Sequence, residues 1–224
     1  MRRILACAAI AAIAFAGTAR AADPELKTDD DKTLYALGLV IANQLGTFNL
    51  TPAELDMVKA GLTDATLKQP AKVDLDTYGP KIQGLAQQRK TLWVADQKKH
   101  GKEYLAKIAE KPGIKKTGTG LMMETITEGT GPSPVPTDKI KVNYKGTTID
   151  GHVFDSSEKK GGPATISLTQ VIKCWSEAFE FMKVGGKAKL YCPPDIAYGD
   201  HGNGPDIPPG ATLVFDVELV GIEK

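Results

Sequence analysis

Apolar residues in the first half of the chain recur at helical spacing. One stripe consists of residues three or four positions apart, Leu34, Leu37, Ile41, Leu45 and Phe48. A second helix is predicted to start at Thr51, because Pro52 suits the first helical position and Glu54 completes a capping box with Thr51. Its apolar face is formed by Leu55, Val58, Leu62 and Ala65. Both predicted helices are short, and neither can bury its apolar stripe alone.

A third and longer helix is predicted from about residues 76–80 to about Lys111. Its first half carries four large apolar residues, Ile82, Leu85, Leu92 and Trp93. Its second half, residues 96–107, is mostly charged, which is typical of a helix that crosses solvent between domains. The pair Pro112-Gly113 ends this helix, because neither residue favours its continuation.

The second half of the chain has an apolar period of two from about Gly120 onwards. Ile140, Val142 and Tyr144 alternate with polar residues, which predicts a strand. The pair Asp150-Gly151 predicts a tight hairpin, because glycine tolerates the positive φ of such turns. Further strands are predicted at 164–168, 187–192 and 212–220, and a short helix at 173–182. The pattern predicts an α+β domain, an antiparallel sheet packed on one short helix, of roughly 105 residues, a usual domain size.

The first residues have the features of a secretory signal. Arg2 and Arg3 precede an apolar run at 4–16, and Ala19-Arg20-Ala21 fits a cleavage site that leaves Ala22 as the new N-terminus. The apolar run is too short to span a bilayer, so no membrane span is predicted. We therefore predict a signal peptide at 1–21 and export to the periplasm, with outer-membrane association or secretion left open.

Composition and charge exclude several classes of function. The chain is 42% hydrophobic and 25% charged, as an ordinary globular protein is. Cleavage after Ala21 leaves 25 basic and 27 acidic residues, a net charge of −2, with no basic block. Such a chain has no electrostatic footprint for nucleic acid. Cleavage also removes Cys7, so that Cys174 and Cys192 are the two cysteines of a protein sent to an oxidising compartment.

The usual motifs of covalent, metal-dependent and nucleotide-dependent catalysis are absent from the sequence. It contains neither G-x-S-x-G nor H-E-x-x-H, and His100, His152 and His201 lack metal-ligand spacing. Cys174 and Cys192 do not form a C-x-x-C pair. An enzyme built from this chain is expected to work without covalent catalysis, metal or cofactor.

Five motifs follow one another in the second half of the chain. They are VNYKG at 142–146, GHVFDSS at 151–157, VIKCW at 171–175, AYG at 197–199 and IPPGATLVFDVEL at 207–219. Together they resemble the FKBP family of peptidyl-prolyl cis-trans isomerases over the whole domain. The helical first half resembles the arm of the Mip- and FkpA-like periplasmic group, on Tyr35-Ala36-Leu37-Gly38, the capping-box helix and the long polar helix.

The resemblance implies an FKBP-like antiparallel sheet wrapped on one short helix, preceded by an all-α dimerisation arm with a long connecting helix. The implied domains are a dimerisation domain at 22–75, a connecting helix at 76–111 and a catalytic domain at 112–224. The implied activity is rotation of X-Pro bonds in unfolded or nascent exported proteins by a homodimer. Macrolide inhibitors of the FK506 type are implied ligands. The alternative function is a chaperone or peptide-binding module without catalysis.

The resemblance also implies a substrate pocket. Its catalytic residues would be Phe154, Asp155 and Tyr198. Its substrate-binding residues would be Tyr144, Val171, Ile172, Trp175, Ile207 and Phe215. Trp175 would form the floor, and the Ile172 N–H and the Tyr198 hydroxyl would bind substrate carbonyls. Asp155 would either orient Tyr198 or interact with the rotating carbonyl.

Two positions depart from the family pattern. Ala164 stands where the family often has an aromatic residue, so one wall of the pocket is expected to be more open. Cys174 stands where the family usually has glycine. In the resembling fold Cys174 starts the short helix and Cys192 lies on the strand beneath it, and we predict a disulfide between them. The alternative is a pair of buried reduced thiols that pack as small apolar side chains.

Overall fold

The structure is a computed structural model that describes residues 24–223, so the predicted signal peptide at 1–21 lies outside the described residues. The chain divides into two units, one that ends at Ile41 and one that starts at Ala42. Helix α1, Asp29–Leu45, begins with three aspartates, whose charge suits the positive end of the helix dipole. The start of its apolar stripe is solvent-exposed, with 67% of Leu34 and 55% of Leu37 accessible, whereas Ile41 and Leu45 are half-buried.

The predicted capping box is present at the start of helix α2, Pro52–Thr66. The Thr51 N–H donates to Glu54 Oε2 at 2.9 Å, and the Glu54 N–H donates to Thr51 Oγ1 at 3.4 Å. Arg89 also donates to this carboxylate, at 3.0 Å, and the bond from Arg89, followed by those from Thr51, lowers the pKa of Glu54 to about 2. Glu54 therefore caps α2 and ties it to the next long helix.

That long helix is preceded by a single turn, α3, Leu75–Tyr78, and runs as α4 over Lys81–Ala109. Our expectation that its charged second half crosses solvent is wrong for the last turns. Ile108 is buried together with Met122, Tyr191 and Val214, and Tyr104 and Leu105 pack against the same cluster. A few apolar residues at helical spacing are enough to seat a mostly charged helix on a sheet.

The close approach of α4 to the sheet depends on Gly101. A Cβ at this position would lie 2.2 Å from Thr212 Oγ1 and 3.1 Å from Thr212 Cβ. Glycine in a helix interior costs about 1 kcal/mol relative to alanine. Glycine at residue 101 therefore lets α4 pack directly against Thr212, because the Cβ of any other residue would clash with the Thr212 side chain.

The remainder of the chain forms a seven-stranded antiparallel sheet and one short helix. The strands are β1 Ile114–Lys116, β2 Met122–Thr127, β3 Lys139–Thr148, β4 Val153–Ser156, β5 Ala164–Ser167, β6 Lys187–Cys192 and β7 Leu213–Glu223. Their order is β1-β2-β6-β7-β3-β4, and β5 also pairs with β3. Helix α5, Lys173–Glu180, buries one face, comprising Cys174, Trp175, Ala178 and Phe179. The predicted α+β fold, a sheet packed on one short helix, is confirmed.

The alternation predicted for the last strand is also confirmed. Leu213, Phe215, Val217 and Leu219 are all buried, and they share one face of β7 because strand side chains alternate. The hairpin between β3 and β4 turns at Asp150-Gly151, where Gly151 has a φ of 91°. The long β3–β7 pairing runs in register from Lys139 to Thr148 with one irregularity. The core therefore lies between this sheet and α5.

A disulfide joins Cys174 of α5 to Cys192 of β6. The two Cα atoms are 5.8 Å apart, and both side chains are fully buried. The bridge ties the first turn of α5, which carries Trp175, to the strand beneath it.

None of the helices within residues 24–223 combines the length and the apolar character that crossing a membrane requires.

Candidate active site

A cavity of about 360 Å³ opens between the β3–β4–β5 part of the sheet and the start of α5. It is lined by ten residues, Tyr144, Phe154, Asp155, Ile166, Gln170, Val171, Ile172, Trp175, Tyr198 and Phe215. Most of these side chains are aromatic or aliphatic, and the one carboxylate among them belongs to Asp155. The cavity is therefore an apolar pocket with a single acidic group in its wall.

Trp175 lines the pocket and contacts two other aromatic side chains in its wall. Its ring lies edge-on to Tyr144, with centroids 5.2 Å apart, and edge-on to Phe215, also at 5.2 Å. Phe154 in turn contacts Phe215 at 5.6 Å with nearly perpendicular rings. Edge-to-face pairs of this kind stabilise by about 0.5–1.5 kcal/mol beyond the area that they bury. The shape of the pocket is thus built from interlocked rings.

Gly146 makes room for two of these rings. A Cβ at residue 146 would lie 2.6 Å from the ring of Phe154 and 2.8 Å from the ring of Phe215. Both distances are shorter than real carbon contacts allow. Glycine at the end of the VNYKG motif therefore lets the aromatic pair pack directly on β3.

The Asp155 carboxylate belongs to a network of three polar side chains. The Tyr144 hydroxyl donates to Asp155 Oδ2 at 2.7 Å, and Lys160 Nζ donates to the same oxygen at 2.7 Å. Lys160 also donates to the Tyr144 hydroxyl oxygen at 2.7 Å. Within residues 24–223, no hydrogen bond joins Asp155 to Tyr198. Asp155 was expected either to orient Tyr198 or to interact with the rotating carbonyl. The described residues show no hydrogen bond by which Asp155 would orient Tyr198.

The network keeps Asp155 ionised and Tyr144 protonated. Burial raises the pKa of Asp155, but the hydrogen bonds from Lys160 and Tyr144 together lower the pKa by more than burial raises it. The pKa of Asp155 therefore lies below its ordinary value. Burial also raises the pKa of Tyr144. The bonds to Asp155 and Tyr144 raise the pKa of Lys160. At neutral pH the pocket wall therefore holds a carboxylate that is fixed by a phenol and an ammonium group.

Three donors of residues that line the pocket are not engaged by the described part of the protein. The Ile172 N–H, at the N-cap of α5, and the Tyr198 hydroxyl have no hydrogen-bond acceptor in the described part of the chain. The indole N–H of Trp175 is buried and also lacks a partner there. Ile172 and Tyr198 are half-buried, so water reaches their donors, whereas the Trp175 N–H is buried. Buried donors are normally paired, so the unpaired indole N–H beside this cavity points to a ligand that carries an acceptor.

Comparisons with known proteins agree with this geometry. The family model described as FKBP-type peptidyl-prolyl cis-trans isomerase matches residues 131–220, and the model of the domain amino terminal to it matches residues 30–124. The FKBP-type peptidyl-prolyl cis-trans isomerase FkpA of Aeromonas hydrophila is 41% identical over 218 residues, which cover 92% of this chain and 81% of that protein. The chain belongs to the FKBP-type peptidyl-prolyl cis-trans isomerases.

Two further FKBP relatives cover nearly the whole chain. Outer membrane protein MIP of Legionella longbeachae is 32% identical over 231 residues, with 100% of this chain and 99% of that protein covered. The crystal structure of FkpA from Escherichia coli superposes with a TM-score of 0.67 at 36% identity and covers 89% of this chain and 99% of that one. The match includes the helical arm as well as the FKBP sheet.

The structure brings together eight of the nine side chains expected in the FKBP pocket. Ile207 is the ninth, and it lies in the adjoining core with 4% of its surface exposed. Three residues of the site, Lys160, Ile166 and Gln170, were not predicted from the sequence. The signal for Lys160 was a lysine pair in the short turn that follows Asp155, which by itself indicates only a solvated surface.

Ala164 and Ile166 lie on the same face of β5, because strand side chains alternate. Ile166 lines the FKBP pocket, whereas Ala164 pairs with Val142 on β3 and is half-buried outside it. Ile166 is therefore the β5 residue that lines the pocket, and the more open wall expected at Ala164 stays a prediction.

Proposed function

We propose that the pocket binds the proline ring of X-Pro segments in unfolded exported polypeptides and accelerates rotation about the preceding peptide bond. The observation that carries this proposal is an apolar pocket with unpaired donors in its wall. The proline ring would rest on Trp175 between Phe154 and Phe215. The Ile172 N–H and the Tyr198 hydroxyl would bind backbone carbonyls on either side of the reacting bond.

An apolar pocket lowers the barrier because the planar and twisted amides differ in polarity. Rotation must break amide resonance, which costs about 18–20 kcal/mol. In the twisted state the C–N bond is nearly single and the carbonyl oxygen carries less negative charge. Removal from water therefore disfavours the planar amide more than the twisted one. This is the differential binding that catalysis requires, and it needs no proton transfer or covalent bond.

The carboxylate of Asp155 adds to this effect. A fixed negative charge repels the carbonyl oxygen of the planar amide more strongly than that of the twisted amide. The hydrogen bonds from Tyr144 and Lys160 hold the carboxylate in place, so no reorganisation is needed as the bond rotates. We assign Asp155 the role of interacting with the rotating carbonyl.

The proposed place of action is the periplasm. Residues 1–21 have the features of a secretory signal, and Cys174 and Cys192 form a disulfide, which persists in oxidising compartments. The relative from Legionella longbeachae is named an outer membrane protein. Proline-containing exported chains are the proposed substrates, and macrolides of the FK506 type are proposed ligands of the same pocket.

The assignment is tested on residues 112–224 alone, because every proposed pocket residue lies there. We expect this segment to accelerate cis-trans exchange of a tetrapeptide proline substrate, which is otherwise slow at tens to hundreds of seconds. Residues 22–111 should leave the exchange at its uncatalysed rate. A folded full chain that leaves the exchange at its uncatalysed rate would contradict the assignment.

We further propose that the chain dimerises through its N-terminal helices. The exposed apolar side chains of this region include Leu34, Leu37, Met57 and Leu62. Apolar surface of this extent on short helices is typical of a surface that a second chain covers. The family model for the domain amino terminal to the isomerase covers these helices.

Light scattering at micromolar concentration is expected to give the mass of two chains, and deletion of residues 22–75 should give one. Leu37→Asp should also dissociate the dimer, because it places a charge in the apolar stripe. Asn43→Asp adds the same charge at an exposed polar position of α1 and should leave the dimer intact. A monomeric full chain, or a dimer that survives the deletion, would refute this interface.

A further inference from the structure

The segment 199–212 links the pocket to the central strand. It begins one residue after Tyr198 and ends directly before β7, which carries Phe215. Its ends are tied together, because the Gly210 N–H donates to the Gly199 carbonyl at 2.9 Å. Its middle is folded back on itself, with the Asn203 N–H donating to the Ile207 carbonyl at 2.9 Å. We call residues 199–212 the catalytic loop.

Helix α4 contacts the catalytic loop at three points on one of its faces. The contacts come from Val94, Lys98 and Gly101, which are four and three residues apart and therefore share a face. Lys98 Nζ lies 2.5 Å from Asp200 Oδ1, and this bond raises the pKa of Lys98. The other two contacts both involve a glycine.

A Cβ would clash at Gly101 and would be tightly packed at Gly210. At Gly210, where φ is 79°, a Cβ would lie 3.0 Å from the Val94 carbonyl oxygen and 3.3 Å from Val94 Cα. At Gly101 a Cβ would lie 2.2 Å from Thr212 Oγ1. Thr212 is almost fully buried, and its hydroxyl lacks a partner in the described residues. At Val94 the backbone of α4 packs against the backbone of the loop at Gly210. At Gly101 the backbone of α4 packs against the buried side chain of Thr212.

We propose that α4 is a positioning element of the isomerase: Val94, Lys98 and Gly101 clamp the catalytic loop, so that the Tyr198 hydroxyl is held at the pocket. Tyr198 has no hydrogen bond of its own to fix it within the described residues, and its placement depends on the loop that follows it. The inference rests on the proposed role of Tyr198 in substrate binding. Val94, Lys98 and Gly101 act through Tyr198 and do not touch the substrate.

The test uses the full chain and a tetrapeptide proline substrate. Gly101→Ala should lower kcat/KM roughly three- to tenfold, because small displacements of a binding group reduce the rate strongly. Lys98→Ala should lower it about twofold, as expected for a partly exposed ion pair, and Lys98→Arg should restore it. Lys99→Ala removes the same charge from the neighbouring exposed position and should change nothing. Circular dichroism and thermal unfolding monitor the fold of every variant.

A double-mutant cycle distinguishes a positioning role from a general loss of stability. Tyr198→Phe alone should reduce kcat/KM, and Gly101→Ala added to it should cause little further loss, because both changes affect one interaction. Independent, multiplying effects would overturn the clamp, and so would a folded Gly101→Ala variant with full activity. If Gly101→Ala does not fold, equal activities of Lys98→Ala and Lys99→Ala overturn it. An active Tyr198→Phe variant would instead overturn the site assignment itself.

Discussion

Replacing Asp155 by Ala is expected to lower kcat/KM for a tetrapeptide proline substrate by roughly tenfold or more. Removing one preorganised group that acts electrostatically on the reacting atoms typically costs about 2.7–4 kcal/mol, and about 1.4 kcal/mol corresponds to a tenfold change in rate. The change removes the only carboxylate of the pocket and leaves Tyr144 and Lys160 without their common acceptor. Stopped-flow measurements of proline cis-trans exchange at several substrate concentrations give kcat and KM separately.

The control is Glu158→Ala, which removes an exposed carboxylate from the turn beside the same network. It should retain activity. The pH profile gives a second readout, because the pKa of Asp155 is lowered: the carboxylate is present at neutral pH, and activity should fall only as the pH drops through that lowered value. A folded Asp155→Ala variant with unchanged kcat/KM would contradict a role in catalysis.

Loss of the disulfide is expected to lower the free energy of unfolding by about 3 kcal/mol, the value for a closed loop of roughly 15 residues in the chain-entropy model. Cys174 and Cys192 are 18 residues apart, so the loop is of this size. Urea unfolding of the Cys174→Ala/Cys192→Ala variant, beside the unchanged chain with and without reductant, measures the difference.

The double variant itself should not respond to reductant, which separates the bridge from other effects of reducing conditions. Titration of the denatured but unreduced protein should find no reactive thiol at Cys174 or Cys192. Two reactive thiols per mature chain would show that the bridge does not form. Because Trp175 is the residue next to Cys174, activity should fall together with stability when the bridge is removed.

The parts of the fold that follow from local rules could be predicted from the sequence. The capping box at Thr51, the turn at Gly151 and the alternation along β7 each depend on neighbours within a few residues. The pocket could be predicted only through the family motifs. Trp175 and Phe215 are by themselves ordinary core residues, and nothing in their spacing shows that they meet in one cavity.

Two features could not be predicted because they depend on contacts between distant parts of the chain. Gly101 has the appearance of a helix-weakening residue in a charged helix, and its purpose is visible only where Thr212 lies against it. Lys160 is one of two adjacent lysines, and only the curl of the turn after β4 brings it to Asp155. Charge patterns along a helix or a turn do not show which distant surface will meet them.

The ends of β6 and β7 are covered on both faces. Tyr191 and Val214 pair across these central strands beneath α4, while the neighbouring Cys192 is bonded to α5 on the other face. Backbone amides here can reach deuterium only when a helix detaches or the whole domain opens. Hydrogen exchange at this point therefore reports the detachment of a covering helix or the opening of the whole domain. Because the catalytic loop ends directly before Leu213, its last residue is anchored in this doubly covered part of the domain.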